Sequence, residues 1–429
     1  MSINKAISAE PENNGLRKIL FDHTDLIAQT EADGIKDILQ AVRTHLKMEV
    51  AFLAEFFEGK RIYRFVDSNW EDTPVRPGNS DPLEKSYCHR IANGMLPELM
   101  QDARKNPEAA KLALTFAIPI GAYIGVPIQL SDGSVYGTFC CFSRHADTSL
   151  NQRDLQLLRT FAELASKMIE RGRNLRYMKN IARQLINRVL RGDTMHMVYQ
   201  PIFELNSKKI IGYESLARFA DLPIRAPDLW FKEANEVGLG IELEVSAINI
   251  ALQALPQLSP DTYISVNASP ATIMSAALRA ALEKINDLNR LVLEITEHDA
   301  VHQYEEIAAS LKLYRSKGLK LAVDDAGAGY ASFRHILNLR PDFIKLDVSL
   351  TRDIDTDPAR RALAIAFVHF SRDTQSKLIA EGVETAAELE TLVELGICKA
   401  QGYFLARPMK LKDIPNQKIN TEKSKIMVQ

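Results

Sequence analysis

The sequence predicts an α/β molecule in two parts: a (β/α)8 TIM-like barrel preceded by an α+β domain on an antiparallel sheet, the two joined by a long helix. Three observations carry this. From Met195 onward, strand-sized apolar runs alternate with helix-periodic segments, the pattern that builds a parallel sheet. Ahead of residue 150 the strands come instead as hairpins around short turns. Between the halves, apolar residues recur at helical spacing from Leu158 to Val189.

The 429 residues are too many for one ordinary domain. A hydrophobic share of 46% with 25% charged residues is that of a globular protein with full cores. A net charge of −2 supplies no basic field, which argues against nucleic acid as a partner. No apolar run approaches the roughly 20 residues that span a bilayer, so no membrane partner is expected. The polar start lacks a signal-peptide core, and four cysteines without CxxC spacing fit a reducing compartment. The expected location is cytoplasmic.

Residues 1–18 read as a flexible leader, polar and broken by Pro, Asn and Gly. A first domain is expected over 19–170. It opens with a helix from Asp25 to Leu46, with Ile35, Ile38, Leu39, Val42 and Leu46 on one face. MEVAFLAEFFEGKRIYRFV then reads as two strands around Glu58-Gly59. AYIGVPIQL and SVYGTFCCF form a second hairpin around Ser131-Asp132-Gly133. A helix from Leu150 to Ile169 closes the unit. Adjacent Cys140 and Cys141 on a strand should face opposite sides of the sheet. This order of elements, with its terminal hairpin, resembles the GAF family of small-molecule sensor domains. The resemblance implies an unidentified small-molecule ligand or a purely dimerising role. Cys88-His89 invites comparison with the chromophore-attaching Cys-His pair of bilin-carrying members, and reads more simply as a buried thiol beside a helix histidine.

A linker helix is expected over 171–191. Leu158, Phe161, Ala165, Met168, Gly172 and Leu175 follow a 3-4-3-4-3 spacing that resumes at Met178, Ala182, Leu185 and Val189. Such spacing suits either a coiled-coil seam in a homodimer or a helix packed on its own domains. A change in one domain could reach the other along it.

The barrel is expected over 192–412, with a tail from 413 to 429. Its eight runs are MHMVYQPIF, KIIGYESLARF, YISVNAS, LVLEITE, LKLAVDDA, FIKLDV, KLIAEGVE and AQGYFLARP. In such barrels the site lies at the strand C-terminal ends. Gln200, Glu214, Arg218, Asn267, Glu294, Glu297, Asp324, Asp325, Lys345, Asp347, Glu381, Glu384 and Gln401 gather there. A helix cap or solvated loop explains any one of them, but not acids closing five of eight buried strands. Carboxylates this crowded cannot all stay ionised without cations. Oxygen ligands without His or Cys favour Mg2+ or Mn2+ over zinc. Two such ions about 3.5–4 Å apart clamp the attacking and leaving oxygens of a phosphoryl displacement, with one of the paired aspartates bridging them. Lys345 and Arg218 add positive charge toward phosphate oxygens.

These residues closely resemble the EAL family of cyclic di-GMP phosphodiesterases. The signature lies here as Glu214-Ser215-Leu216, followed by Ala217-Arg218. Asn267-Ala268-Ser269, Glu294-Ile295-Thr296-Glu297, Asp324-Asp325-Ala326-Gly327, Lys345-Leu346-Asp347, Glu381-Gly382-Val383-Glu384 and Gln401-Gly402-Tyr403 follow in order. The resemblance implies that Glu214, Asn267, Glu294 and Asp324 hold one metal while Asp325 and Glu381 contact a second. It implies that Lys345 orients the attacking water, that Glu381 serves as general base, and that Glu384 and Gln401 support water and substrate. Gln200, Leu216, Arg218 and Asp347 would contact the nucleotide, and Glu297 would anchor the loop after Asp325. The implied reaction is metal-dependent opening of cyclic di-GMP to linear pGpG, regulated by the N-terminal domain. The alternative is a receptor that binds cyclic di-GMP or a partner without hydrolysis. Two positions depart from the family: Ser215 stands for alanine, with a nearby partner expected for its hydroxyl, and Ala326 stands for phenylalanine, which should loosen its loop.

Overall fold

The computed structural model describes residues 31–192, 194–221, 223–295, 303–327 and 331–414. The expected leader, all but two residues of the expected tail and the loop anchor Glu297 lie outside them. Two compact units divide after Met178, within a 40-residue helix, Gln152–Arg191. Among the described residues, no helix is long and apolar enough to cross a membrane.

The first unit is a six-stranded antiparallel sheet. Its strands are β1 (Val50–Phe57), β2 (Lys60–Ser68), β3 (Ser80–Pro82), β4 (Leu99–Met100), β5 (Tyr123–Gln129) and β6 (Val135–Phe142), in the order β3-β2-β1-β6-β5-β4. The β1–β2 connection is two residues long. Glu58 and Gly59 take φ of +47° and +71°, the left-handed pair that matches strand twist in a tight hairpin. Period-two alternation then sorts side chains onto two apolar faces. Ala51, Leu53, Phe139 and Cys141 join the core formed with the helix Glu31–His45 and with Leu158, Phe161 and Ala165. Val50, Phe52, Cys140 and Phe142 join the other, with the short helix Tyr87–Ala92. Cys140 and Cys141 therefore part to opposite faces, as alternation requires.

The helix Gln152–Arg191 runs without a break through the expected closing and linking segments. The expected seam is largely consumed within the chain. Its first part is in the core of the first unit, and Ile186 and Val189 are in that of the second. Only the middle, around Leu175 and Met178, stays exposed.

The second unit is a closed eight-stranded barrel. It comprises β7 (Met195–Glu204), β8 (Lys209–Phe219), β9 (Tyr263–Asn267), β10 (Leu291–Ile295), β11 (Lys320–Ala326), β12 (Phe343–Leu346), β13 (Lys377–Ala380) and β14 (Lys399–Ala400). One strand departs from the all-parallel expectation: β7 runs antiparallel to both β8 and β14. The reason is connection length. Only residues 205–208 separate β7 from β8, whereas a parallel crossover needs a dozen or more residues. Gln200 accordingly reaches the site from the middle of a reversed strand rather than from a C-terminal end.

Alternation inside the barrel sets the floor of the site. Ile202, Tyr263, Val292, Ala322, Phe343 and Ile379 form one buried layer. Two residues further along each parallel strand stand Ser265, Glu294, Asp324, Lys345 and Glu381, and two back along reversed β7 stands Gln200. An apolar plug thus supports a polar layer. Glycine is needed at 212, where a Cβ would meet the Tyr263 ring at 2.6 Å. The same spacing from Gly212 places Glu214 in the polar layer.

Candidate active site

Lys345 is the centre of that layer. It is 0% exposed, and its Nζ lies 2.8 Å from Glu381 Oε1, 2.9 Å from Glu294 Oε2, 3.1 Å from Asp324 Oδ1 and 3.4 Å from Glu214 Oε2. One ammonium cannot balance four ionised carboxylates. Burial, together with the neighbouring acids and against the pull of Lys345, pushes the Glu294 carboxyl up to about 8. Burial likewise raises Glu381 well above the usual range. Lys345 itself moves upward, because Asp324, Glu214, Glu294 and Glu381 outweigh the desolvation that opposes its charge.

The paired aspartates owe their common direction to a bulge. Adjacent residues on a regular strand face opposite ways. Here Val323 pairs with Ile344 and Ala326 with Leu346, so Asp324 and Asp325 together oppose the single residue Lys345. Asp325 takes φ of +54°, a left-handed conformation that aspartate tolerates better than most residues, and its N–H donates to Asp324 Oδ1 at 3.0 Å. The bulge lets both carboxylates join the acid cluster. Glu214, Glu294 and Asp324 offer oxygens within 4.8 Å of one another, as do Asp324, Asp325 and Glu381. The two trios share Asp324. Such a donor set, all oxygen and too anionic to remain ionised alone, fits a pair of hard divalent cations.

Other candidate residues divide into those that join the cluster and those that do not. Gln401, 4% exposed, donates from Nε2 to Glu214 Oε2 at 2.5 Å and Glu381 Oε1 at 2.6 Å, linking one trio to the other. Asn267 sits beside Glu294 in the β9–β10 register and is exposed. Gln200 pairs with Glu214 across β7–β8, and its Nε2 donates to the Ala406 carbonyl. Leu216 and Arg218 continue the inward face of β8 toward the rim, half-buried, with Arg218 donating to the Ala217 carbonyl. Asp347 accepts from the Ser349 N–H and caps the short helix Val348–Thr351. Glu384 does not enter the cluster. Arg352 grips it with two hydrogen bonds of 2.5 and 2.6 Å, which hold its carboxyl below the usual range.

A family model for the EAL domain matches residues 179–408, more than half of the chain. The chain belongs to the EAL-domain family. A GAF-domain model matches residues 28–170. A probable cyclic di-GMP phosphodiesterase, PdeD of Escherichia coli K12, is 31% identical over 56% of this chain and 46% of its own length. A cyclic di-GMP phosphodiesterase of Pseudomonas aeruginosa is 30% identical over 51% of this chain and 39% of its own. The chain thus spans less than half the length of either relative. The Xanthomonas citri FimX EAL domain, solved in complex with c-di-GMP, shares the fold at a TM-score of 0.51 and 20% identity, covering 58% of this chain and 100% of that one.

Within the EAL frame the two departures take definite form. Ser215 is 3% exposed and its Oγ has no hydrogen-bond partner among the described residues, against the expectation that one lay nearby. Alternation explains this: Glu214 faces the barrel interior, so the next residue faces the apolar surround. Ala326 is fully buried in the core shared by Val323, Ile344, Leu346 and Leu350. The stretch 328–330 that it leads into lies outside the described residues.

Two contributors escaped sequence reasoning. Arg352, at the C-terminal end of the helix Val348–Thr351, holds Glu384. Glu388, 2% exposed, accepts from the N–H groups of Asp353, Glu384 and Thr385 at 3.1, 2.8 and 3.0 Å. Thr385 and Glu388 make a capping box at a helix start, a spacing readable in the sequence. The added bond to Asp353 is not.

Proposed function

We propose that the chain is a metal-dependent phosphodiesterase that opens cyclic di-GMP to linear pGpG, using two Mg2+ or Mn2+ ions and governed by its GAF-like unit. The observation that carries this reading is a buried lysine ringed by four carboxylates, with two acid trios joined at Asp324. Glu214, Glu294 and Asp324, with Asn267 beside them, would hold one ion; Asp325 and Glu381 would share the other with Asp324. Bound there, the ions would neutralise the acids, draw the phosphate diester in and lower the barrier to attack by water.

The residues divide the remaining work. Lys345 places and orients the attacking water through its ammonium. Glu381, its carboxyl raised by burial, would receive the proton of that water once ionised. Gln401 keeps Glu214 and Glu381 at fixed separation. Arg218, Gln200, Leu216 and Asp347 line the nucleotide's side of the rim, and Glu384 answers to Arg352. The domain plan that goes with this reading is a sensor over 19–170, a linking helix over 171–191 and a barrel over 192–412, working as a homodimer with a small molecule on the sensor.

The test is incubation of the purified chain with cyclic di-GMP, with Mg2+, with Mn2+ and with chelator, followed by anion-exchange separation. Metal-dependent appearance of pGpG is the expected result. Binding by calorimetry with intact substrate under every condition would replace the enzyme by a receptor.

A further inference from the structure

One side chain of the polar layer has no task in the chemistry proposed above. Ser265, on β9, is 0% exposed, and its Oγ has no hydrogen-bond partner among the described residues. Its direction follows from alternation along the strand. Ile264 and Val266 pack into the core outside the barrel wall, whereas Tyr263 belongs to the apolar layer inside it. Ser265 therefore points inward, one step above that layer. Across the parallel pair β8–β9 it stands directly beside Glu214, and two residues further on Asn267 stands beside Glu294. The hydroxyl thus sits on the strand between two glutamates of the first acid trio.

A buried hydroxyl that bonds to nothing is costly, and such groups in folded proteins nearly always have a partner. Ser215 is equally orphaned but faces the apolar surround, where no carboxylate of the cluster lies. Ser265 faces the acids. Neighbouring strands lie about 4.8 Å apart, so a glutamate on one reaches a hydroxyl on the next by rotation within its own side chain. Glu214 is also the acid that Lys345 holds least closely, at 3.4 Å against 2.8–3.1 Å for the other three. Gln401 donates to that same Oε2, which leaves Oε1 for another donor. A carboxylate that ligates a cation is itself steadied by hydrogen bonds from behind. A neutral hydroxyl does this without adding a positive charge that would repel the ion.

We infer that Ser265 is a positioning residue of the proposed metal site, its hydroxyl donating to the Glu214 carboxylate when that carboxylate holds a divalent cation. The inference rests on the metal reading above and adds to it a residue that touches neither substrate nor reacting atoms. It gives the orphaned hydroxyl a partner in the loaded site, and it makes the strand β9 contribute twice, through Asn267 at the rim and through Ser265 beneath it. Its signature is a side chain that matters to cation affinity and not to the stability of the chain without a cation.

Ser215 supplies the internal control, being a second buried hydroxyl without a partner but on the outward side of the wall. Full-length wild type, Ser265→Ala and Ser215→Ala are titrated with Mn2+ alone by calorimetry at one pH, and each is melted in chelator. Wild type is expected to bind, and Ser265→Ala to bind about tenfold more weakly, the low end of what losing such an outer partner costs. In chelator Ser265→Ala should melt no lower than wild type, because the hydroxyl bonds nothing there. Ser215→Ala should bind Mn2+ as wild type does. Equal affinity in wild type and Ser265→Ala overturns the inference, and so does equal weakening in both variants. A Ser265→Ala protein that melts below wild type in chelator overturns it too, since the hydroxyl would then serve the fold. A wild type that binds no Mn2+ would instead remove the metal reading, and this inference with it.

Discussion

At Lys345 and Ser215 burial and partnership pull in opposite directions. Lys345 is enclosed but over-supplied with anions, so removing it leaves carboxylates facing one another in a dry site. Lys345→Ala is expected to abolish turnover and to destabilise by about 3–5 kcal/mol in chelator, with part of the loss recovered by Mn2+. Thermal melts with and without metal check this, and a metal-independent melt in the variant would sink it. Asp324→Asn, which weakens the carboxylate shared by both trios, should also abolish turnover. Retained turnover in either variant would remove the mechanistic assignment. Ser215→Ala works in the opposite sense. Deleting a buried hydroxyl without a partner should raise stability by about 1 kcal/mol, read as a higher urea midpoint at unchanged slope.

At the scale of elements, the β11 bulge does the work that strand alternation forbids. Asp325→Asn keeps the left-handed backbone and removes one carboxylate, whereas Asp325→Val also forces a β-branched residue to φ near +54°. The valine variant is expected to lose about 1–2 kcal/mol more than the asparagine variant, measured by chemical denaturation. Equal losses would mean that the backbone relaxes. Much of this level was legible. The two N-terminal hairpins, the opposed Cys140 and Cys141 and the helix between β10 and β11 follow from periodicity and turn residues. The reversed β7 was legible too, in the four residues before β8, but a count of eight strands concealed it. The bulge was not, because two adjacent aspartates look the same on a regular strand and on a distorted one.

Over the whole molecule, the proposed reading makes proton and metal compete for one set of oxygens. Glu294 is pushed up to about 8, so without metal the folded chain holds a proton that the unfolded chain, with an ordinary carboxyl at 4.5, has released. Stability without metal should therefore fall as pH rises from about 4.5 to about 8 and level off above. A metal ion bound as proposed would displace that proton. Apparent Mn2+ affinity should accordingly climb between pH 6 and 8 by up to about tenfold per unit for each proton released, with release visible as a buffer-dependent calorimetric heat. An affinity that stays flat across this range would show that Glu294 is already ionised.

The sequence by itself determined the fold class, the order of strands and the identity of most of the acids, because period-two and helical patterns are local and acids at strand ends are conspicuous. Tertiary structure decided which of them meet. It brought Glu214, Glu294, Asp324, Asp325 and Glu381 around Lys345, and it gave Glu384 to Arg352 and Asp347 to a helix cap. It also set Arg61 against Cys88. Barrel closure and sheet packing join residues tens to hundreds of positions apart, and no spacing along the chain encodes that distance.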